Sequence, residues 1–441
     1  MLQFKKASSF KSSKKFFKIY NYPIPSEVKD LINKTLRSLT SLKITHFSLM
    51  QNQFYLTEKL PPYIFAAIYE LKQQAIARGL EIIDFGMGNP DSAPPQHVME
   101  RLAELSRDPK LFGYSTTGGI DVLKKSICDY YQRRFGVDLD YKSEALVTIG
   151  AKEGIASLAT AISDEKNYIC IPSPSYPIHT FGFVIAKTNL HHIEAIESRD
   201  FLAQFKKYVE SVKQKPQAVI VSYPCNPTTE IVGLDFYEEL VSFCKKHKIY
   251  IISDIAYAEL YFNEKDKPHS ILEVKGAKDI AIEFSSVSKS YSMAGCRVGF
   301  ACGNKNLVGA LYKIKSYLDY GSFAPLQMVA AEALTEKSDE YLKNLRQLYQ
   351  KRGEFLVDIF ARELSWNIEK PKASMFVWTK LPKQFSHLSS FDFCKKMIEE
   401  CGIAMSPGSS FGKSGEDFIR LSLIRTEDEV RRAVLKLKTV F

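Results

Sequence analysis

Nowhere do the 441 residues run apolar for the length of a membrane span. The longest hydrophobic stretches are broken by Asn, Lys, Asp or Gly well before about 18 residues, which excludes a transmembrane helix. Paired cysteine spacing is also missing: Cys128, Cys170, Cys225, Cys244, Cys296, Cys302, Cys394 and Cys401 contain no C-x-x-C motif, and several sit inside apolar runs. That pattern argues against a zinc site and a disulfide framework, leaves no metal expected, and fits a reducing compartment. Internal repeats and low-complexity linkers do not occur, so a solenoid is excluded. No continuous apolar segment follows the N-terminal lysines, which removes a secretory signal.

What the chain does have is an uneven charge. The formal net charge is +10, yet residues 1–49 carry ten basic residues against Glu27 and Asp30. Eight of the ten net charges therefore lie in that stretch, and the chain from Met50 onward is close to neutral. A basic, Ser- and Phe-bearing stretch of this kind fits a transit peptide, a nucleic-acid arm or an upstream reading of a start at Met50. It is read as a dispensable extension, and the chain as a soluble cytoplasmic protein with no nucleic-acid or membrane partner.

Composition bounds the architecture. A chain of this length, 45% hydrophobic and 25% charged, supports a large domain with a smaller companion. From residue 61 the run PPYIFAAIYELKQQAIARG reads as an amphipathic helix opened by proline and closed by Gly79. The short strand EIIDF then leads into the turn GMGNPD. Seven β-rich runs follow: ALVTIG (145–150), YICIPS (168–173), LHHIEA (190–195), AVIVSY (218–223), YIISDI (250–255), IAIEFS (280–285) and RVGFAC (297–302). Helical patterns alternate with them, the signature of an α/β fold with a mainly parallel sheet. Beyond Gly321 a long helical segment to about Arg362 precedes a second α+β set containing SMFVWTKL and FIRLSLIR. The expected division is an arm and part of the small domain at 50–94, a large domain at 95–325, and the rest of the small domain at 326–441.

The densest chemistry lies in SVSKSYSMAGCRVGF, residues 286–300. Lys289 stands at the end of a buried strand with Arg297 eight residues on. A lysine amine that must act as a nucleophile requires a partly desolvated, electropositive site, and a strand terminus supplies one. This run resembles the S-x-S-K and G-x-R-x-G signature of the class I and II aminotransferases, which have the fold-type-I architecture and use pyridoxal phosphate (PLP). The resemblance implies that Lys289 carries PLP as a Schiff base and moves the substrate α-proton, with Ser286 and Arg297 on the phosphate. A planar guanidinium suits that contact because it meets phosphate oxygens bidentately.

Other runs extend the resemblance in order along the chain. VSYPCNPTTEIVG and SDIAYAEL match the family's N-P and D-x-x-Y elements, implying that Asn226 and Tyr257 bond the cofactor's phenolic oxygen. Asp254 would then pair with the pyridine nitrogen and keep it cationic, which the electron-sink chemistry requires. Alone, an Asn-Pro dipeptide marks only a turn, and an aspartate after an apolar run serves equally as a helix cap. The strand-to-helix turn at ALVTIG-AKEG exposes the amides of Ala151 and Lys152, a phosphate site in relatives. Tyr176 in PSPSYPIH corresponds to the ring stacked on the pyridine face, where otherwise it would be a core tyrosine. FGYSTTGGIDVLKKSI resembles the Y-x-x-x-x-G segment, in which Tyr114 would reach the other subunit's phosphate in a homodimer. Near the end, GKSGEDFIRLSL resembles the family's G-x-x-x-x-R-x-S element, implying that Arg420 clamps the substrate α-carboxylate with help from the backbone of Gly88.

The substrate reading turns on another absence. No arginine occurs between Arg297 and Arg346, where aspartate aminotransferases place the residue for a distal carboxylate. The segment KIKSYLDYGSFAPLQ is similar instead to bacterial alanine (glutamate–pyruvate) transaminases and relatives acting on diaminopimelate. Lys313, Lys315, Tyr317 and Tyr320 stay open as contacts for a second carboxylate. The implied reaction is ping-pong transfer of an α-amino group between glutamate or alanine and a 2-oxo acid. The alternatives are an aspartate or diaminopimelate aminotransferase, or a C–S lyase on the same scaffold.

Overall fold

The computed structural model describes Thr57, Leu60 and residues 64–441, so the basic stretch and its expected role lie outside the described residues. A helix runs Ile64–Ala77 and ends before Gly79, whose φ of +87° terminates it as the sequence suggests. Of the expected strand at 81–85, only β1 (Ile83–Asp84) forms, because its partner β10 (Ile403–Ala404) is equally short.

All seven expected core strands form, within a residue or two of their expected bounds. They are β2 (Ala145–Thr148), β3 (Tyr168–Ser173), β4 (Asn189–Glu194), β5 (Ala218–Ser222), β6 (Tyr250–Asp254), β7 (Ala281–Ser286) and β8 (Gly299–Gly303). The sheet order is β2-β8-β7-β6-β5-β3-β4, and β8 alone runs antiparallel to its neighbours. The expected start of β8 at residue 297 is corrected to Gly299, because Arg297 adopts a left-handed φ of +54° that no strand accommodates. Burial explains why these strands read as continuous apolar runs: β2, β5 and β7 are buried at every residue. Successive residues alternate between faces, so Val219, Val221 and Ile251 join one apolar cluster while Ala218, Ile220 and Ile252 join another. Helices cover both, giving three layers.

The long helical segment beyond Gly321 is two helices, Ala324–Ala333 and Asp339–Leu364. They are separated by a 3-10 turn at Glu336–Ser338, whose Ser338 is fully buried. The final part contributes an antiparallel sheet of order β11 (Ser406–Pro407), β12 (Phe418–Ser422) and β9 (Phe376–Lys380), with its own core around Phe393, Met397 and Leu421. Among the described residues no helix is long and apolar enough to cross a membrane, and all eight cysteines are free thiols.

One core strand carries a charge away from the pocket. Glu283 on β7 is wholly buried and accepts hydrogen bonds from the hydroxyls of Ser253, Ser270 and Tyr131 and from the Ile271 N–H. Burial outweighs these donors and raises its pKa from 4.5 to about 7. A carboxyl raised in the folded state binds its proton more tightly there than when unfolded, so its contribution is present in acid and lost as pH rises through about 7. Thermal unfolding between pH 5 and 8 should show the wild type losing on the order of 2–3 kcal/mol relative to Glu283→Gln as pH increases.

Candidate active site

The pocket lies where β2, β5, β6 and β7 deliver their carboxyl ends, the place where open α/β sheets gather their loops. After β2 the chain turns at Gly150 (φ +78°) into the helix Ala151–Ile162. Two glycines let this turn and the loop after Lys289 approach closely. A Cβ on Gly150 would lie 2.3 Å from Nη2 of Arg297, and one on Gly299 would lie 2.5 Å from the Ala151 nitrogen. Arg297 donates from Nη1 to the Ala294 carbonyl at 2.8 Å and from Nη2 to the Ile149 carbonyl at 3.5 Å. It has no carboxylate partner among the described residues, so its charge is available to an anion. Ser286 ends β7 and caps the helix Val287–Ser290, its hydroxyl accepting from the Ser288 N–H. Hydroxyls of Ser286 and Ser288, a guanidinium and the opening turn of a helix thus converge.

At the end of β6 stands Asp254, buried, with Oδ2 3.0 Å from Nε2 of His179 and Oδ1 accepting from the Ala256 N–H at 3.1 Å. His179 is fully buried, and its Nδ1 has no protein partner. The sequence reading passed over this histidine, although it stands three residues after Tyr176 in the same run. The first turn of the helix Pro177–Ile185 brings it behind the carboxylate. Asn226 donates weakly from Nδ2 to the Tyr257 hydroxyl at 3.5 Å. Burial pushes that hydroxyl's pKa up, so it remains a neutral donor at neutral pH.

Lys289 follows β7 on the short helix and donates from Nζ to the Gly88 carbonyl at 2.5 Å. Burial, then the nearby Arg420 and Arg297, push its pKa down from 10.5 to about 8. Arg420 on β12 is 4% exposed and has only neutral partners: Asn226 Oδ1 at 2.7 Å, the Gly86 carbonyl at 3.1 Å and the Ser406 hydroxyl at 3.3 Å. Its Nε has no partner, and burial lowers its pKa to about 10. The guanidinium carbon lies 4.0 Å from the Phe376 ring centroid and 4.7 Å from that of Phe411. Those rings hold a cation in place without neutralising it. Phe376 also explains Gly88, where a Cβ would fall 2.7 Å from the ring.

These groups line one cavity of about 420 Å³. Lys289, Asp254, Tyr176, Ala151, Lys152, Asn226, Tyr257, Ser286, Arg297, Gly88 and Arg420 all face it. Tyr114 does not: it is 90% exposed, its ring 4.9 Å from that of Tyr320. Phe65, Phe376 and His179 went unread in the sequence, since an apolar or aromatic residue inside a helix or strand carries no positional mark. The option that Lys315 binds a second carboxylate is corrected, because that lysine is wholly buried and ion-paired to Glu153 and Asp319. Lys313, Tyr317 and Tyr320 also lie outside the cavity lining.

Four cations, Lys152, Lys289, Arg297 and Arg420, face the cavity against the single carboxylate of Asp254. A ligand matching it carries anionic groups toward Arg297 and Arg420 and a cationic or proton-bearing group toward Asp254. Pyridoxal phosphate together with an amino-acid carboxylate meets that requirement, and the unpartnered Nε of Arg420 is a donor left for such a carboxylate.

Comparison with known proteins agrees with this geometry. The family described as aminotransferase class I and II matches residues 81–437. Glutamate-pyruvate aminotransferase AlaC of Escherichia coli (strain K12) is 41% identical, over 89% of this chain and 94% of its own length. An LL-diaminopimelate aminotransferase of Natranaerobius thermophilus is 37% identical, over 87% of this chain and 97% of its own. Among solved structures, apo-BacF of Bacillus subtilis superposes with a TM-score of 0.83 at 30% identity, covering 88% of this chain and 97% of that one. The chain therefore belongs to the aminotransferases of class I and II, PLP-dependent enzymes of fold type I that move an amino group between an amino acid and a 2-oxo acid.

Proposed function

We propose that this enzyme transfers the α-amino group of glutamate or alanine to a 2-oxo acid, pyruvate or 2-oxoglutarate, in a ping-pong cycle. The observation that carries the reading is a buried Arg420 with no anion of its own, held across the same cavity from Lys289. Similarity to the glutamate–pyruvate enzyme supports the substrate class, as does the absence of any arginine between Arg297 and Arg346. Removal of Lys315 from the candidate carboxylate ligands weakens the case for a dicarboxylate acceptor.

In this reading the residues divide the work. Ser286, Arg297 and the amides of Ala151 and Lys152 hold the cofactor phosphate, while Asn226 and Tyr257 donate to its phenolic oxygen. Asp254, oriented by His179, holds a proton on the ring nitrogen. Tyr176 covers one ring face. When bound, the cofactor withdraws the electron pair left as the substrate Cα–H bond breaks. Arg420 and the Gly88 backbone fix the α-carboxylate and so the direction of that bond. Lys289, with its pKa already lowered to about 8, takes the proton from Cα near neutral pH and gives it back.

The enzyme is further read as a cytoplasmic homodimer with shared active sites. Eight free thiols suit a reducing compartment. Tyr114, Tyr317 and Tyr320 are all exposed, and the Tyr114 ring lies against that of Tyr320, which leaves Tyr114 accessible to the phosphate of a second subunit.

Two measurements test this. Stopped-flow absorbance of the PLP form mixed with L-glutamate or L-alanine should show stoichiometric conversion to the pyridoxamine form, with 2-oxoglutarate or pyruvate released. Release of ammonia or thiol without an amino acceptor would mark a lyase instead. In steady-state kinetics Arg420→Met should reduce kcat/KM for these amino acids by about a hundredfold or more, since it removes charge-assisted bonds in a desolvated site.

A further inference from the structure

Lys315 is wholly buried, on a helix (Lys305–Leu318) that packs against the pocket-opening helix Ala151–Ile162. It does not line the cavity. Its ammonium donates to Glu153 Oε2 at 3.0 Å and to Asp319 Oδ2 at 2.7 Å. Both carboxylates hold backbone in turn. Glu153 Oε2 also accepts the Ile149 N–H at 2.7 Å, and Oε1 accepts the Ser157 hydroxyl at 2.6 Å. Asp319 Oδ1 accepts the Gly321 N–H at 2.7 Å, and the Asp319 carbonyl accepts the Thr117 hydroxyl at 2.9 Å.

Ile149 is the residue where this chain of contacts meets the site. Glu153 grips its N–H from one side, and Arg297 donates to its carbonyl at 3.5 Å from the other. The resulting turn at residues 149–151 presents the amides at the start of the helix. Yet Glu153 stands in the first turn of that helix, so its charge would repel any anion placed at the same terminus. The cation that offsets it, shared with Asp319, comes from outside the pocket, where it takes no space from a ligand.

We infer that Lys315 is a positioning residue for the cofactor phosphate, offsetting the Glu153 charge and locking its carboxylate onto the Ile149 N–H so that the turn at 149–151 receives a dianion. The inference rests on the reading that this turn takes the phosphate. It assigns a role to an ion triad that otherwise would serve stability alone. The two differ in what they do to a ligand lacking the phosphate.

Apoenzyme is titrated by absorbance with PLP and, separately, with pyridoxal, and inorganic phosphate is used as competitor. Lys315→Met should raise the Kd for PLP and for phosphate about tenfold or more, while the Kd for pyridoxal stays within about twofold. In a Glu153→Gln background the same change should cost PLP affinity no more than about twofold, because the charge needing cancellation is gone. Should the single variant not fold, Lys315→Met with Asp319→Asn leaves one buried acid fewer and carries the same expected selective loss. A lowered melting temperature with unchanged PLP affinity would overturn the proposal, as would equal losses for PLP and pyridoxal. Wild-type apoenzyme binding PLP no more tightly than pyridoxal would instead sink the underlying phosphate reading.

Discussion

A charge buried without its counter-ion is costly, and this fold keeps one: Arg420, fixed between Phe376 and Phe411 and bonded only to neutral oxygens. Such a group persists where its partner arrives with the ligand. Arg297, exposed on the cavity wall and bonded only to the Ala294 and Ile149 carbonyls, likewise has no carboxylate partner among the described residues; burial, with these two cations nearby, presses the Lys289 amine toward its unprotonated form. Among the described residues Asp254 supplies the only negative charge on the cavity wall. The charges around the cavity thus describe the molecule it takes: anionic groups toward Arg420 and Arg297 and a proton-bearing group toward Asp254.

Holding these charges demands a stiff frame. The strands that end at the site are buried at every residue but Tyr250, and glycines at 88, 150 and 299 admit side chain or backbone where a Cβ would collide. The central helix turn is braced from behind by the Lys315 triad and from the front by Arg297. Conformational freedom would cost the site its precision, since near-attack geometry tolerates little displacement.

Much of this was legible in the sequence, for physical reasons. Strands buried on both faces are apolar at nearly every position, so β2, β5, β6 and β7 stand out as near-continuous runs, whereas the edge strand β4, half exposed, is marked only by its place in the alternation of strands and helices. The polar residues that follow these runs, Ser286, Asp254 and Asn226, took their roles from the family's motifs, since alone an Asn-Pro marks a turn and an aspartate after an apolar run a cap. What escaped was of two kinds. Arg297 leaves the strand through a left-handed φ, a conformation that arginine does not advertise. His179 and Phe376 act through contacts with Asp254 and Arg420, 75 and 44 positions away, and Lys315 reaches Glu153, 162 positions away, besides the local Asp319; the distant contacts leave no local pattern. Lys315 in particular looked like an exposed ligand for a carboxylate because lysines usually are exposed, and only its two acidic neighbours reveal it as a buried strut.

The account stands on a single amine. Reducing the PLP-loaded enzyme with borohydride and mapping its peptides should find the pyridoxyl mass on Lys289 and on no other lysine. Label on a different lysine, or none after reduction of a protein that has bound the cofactor, would contradict it.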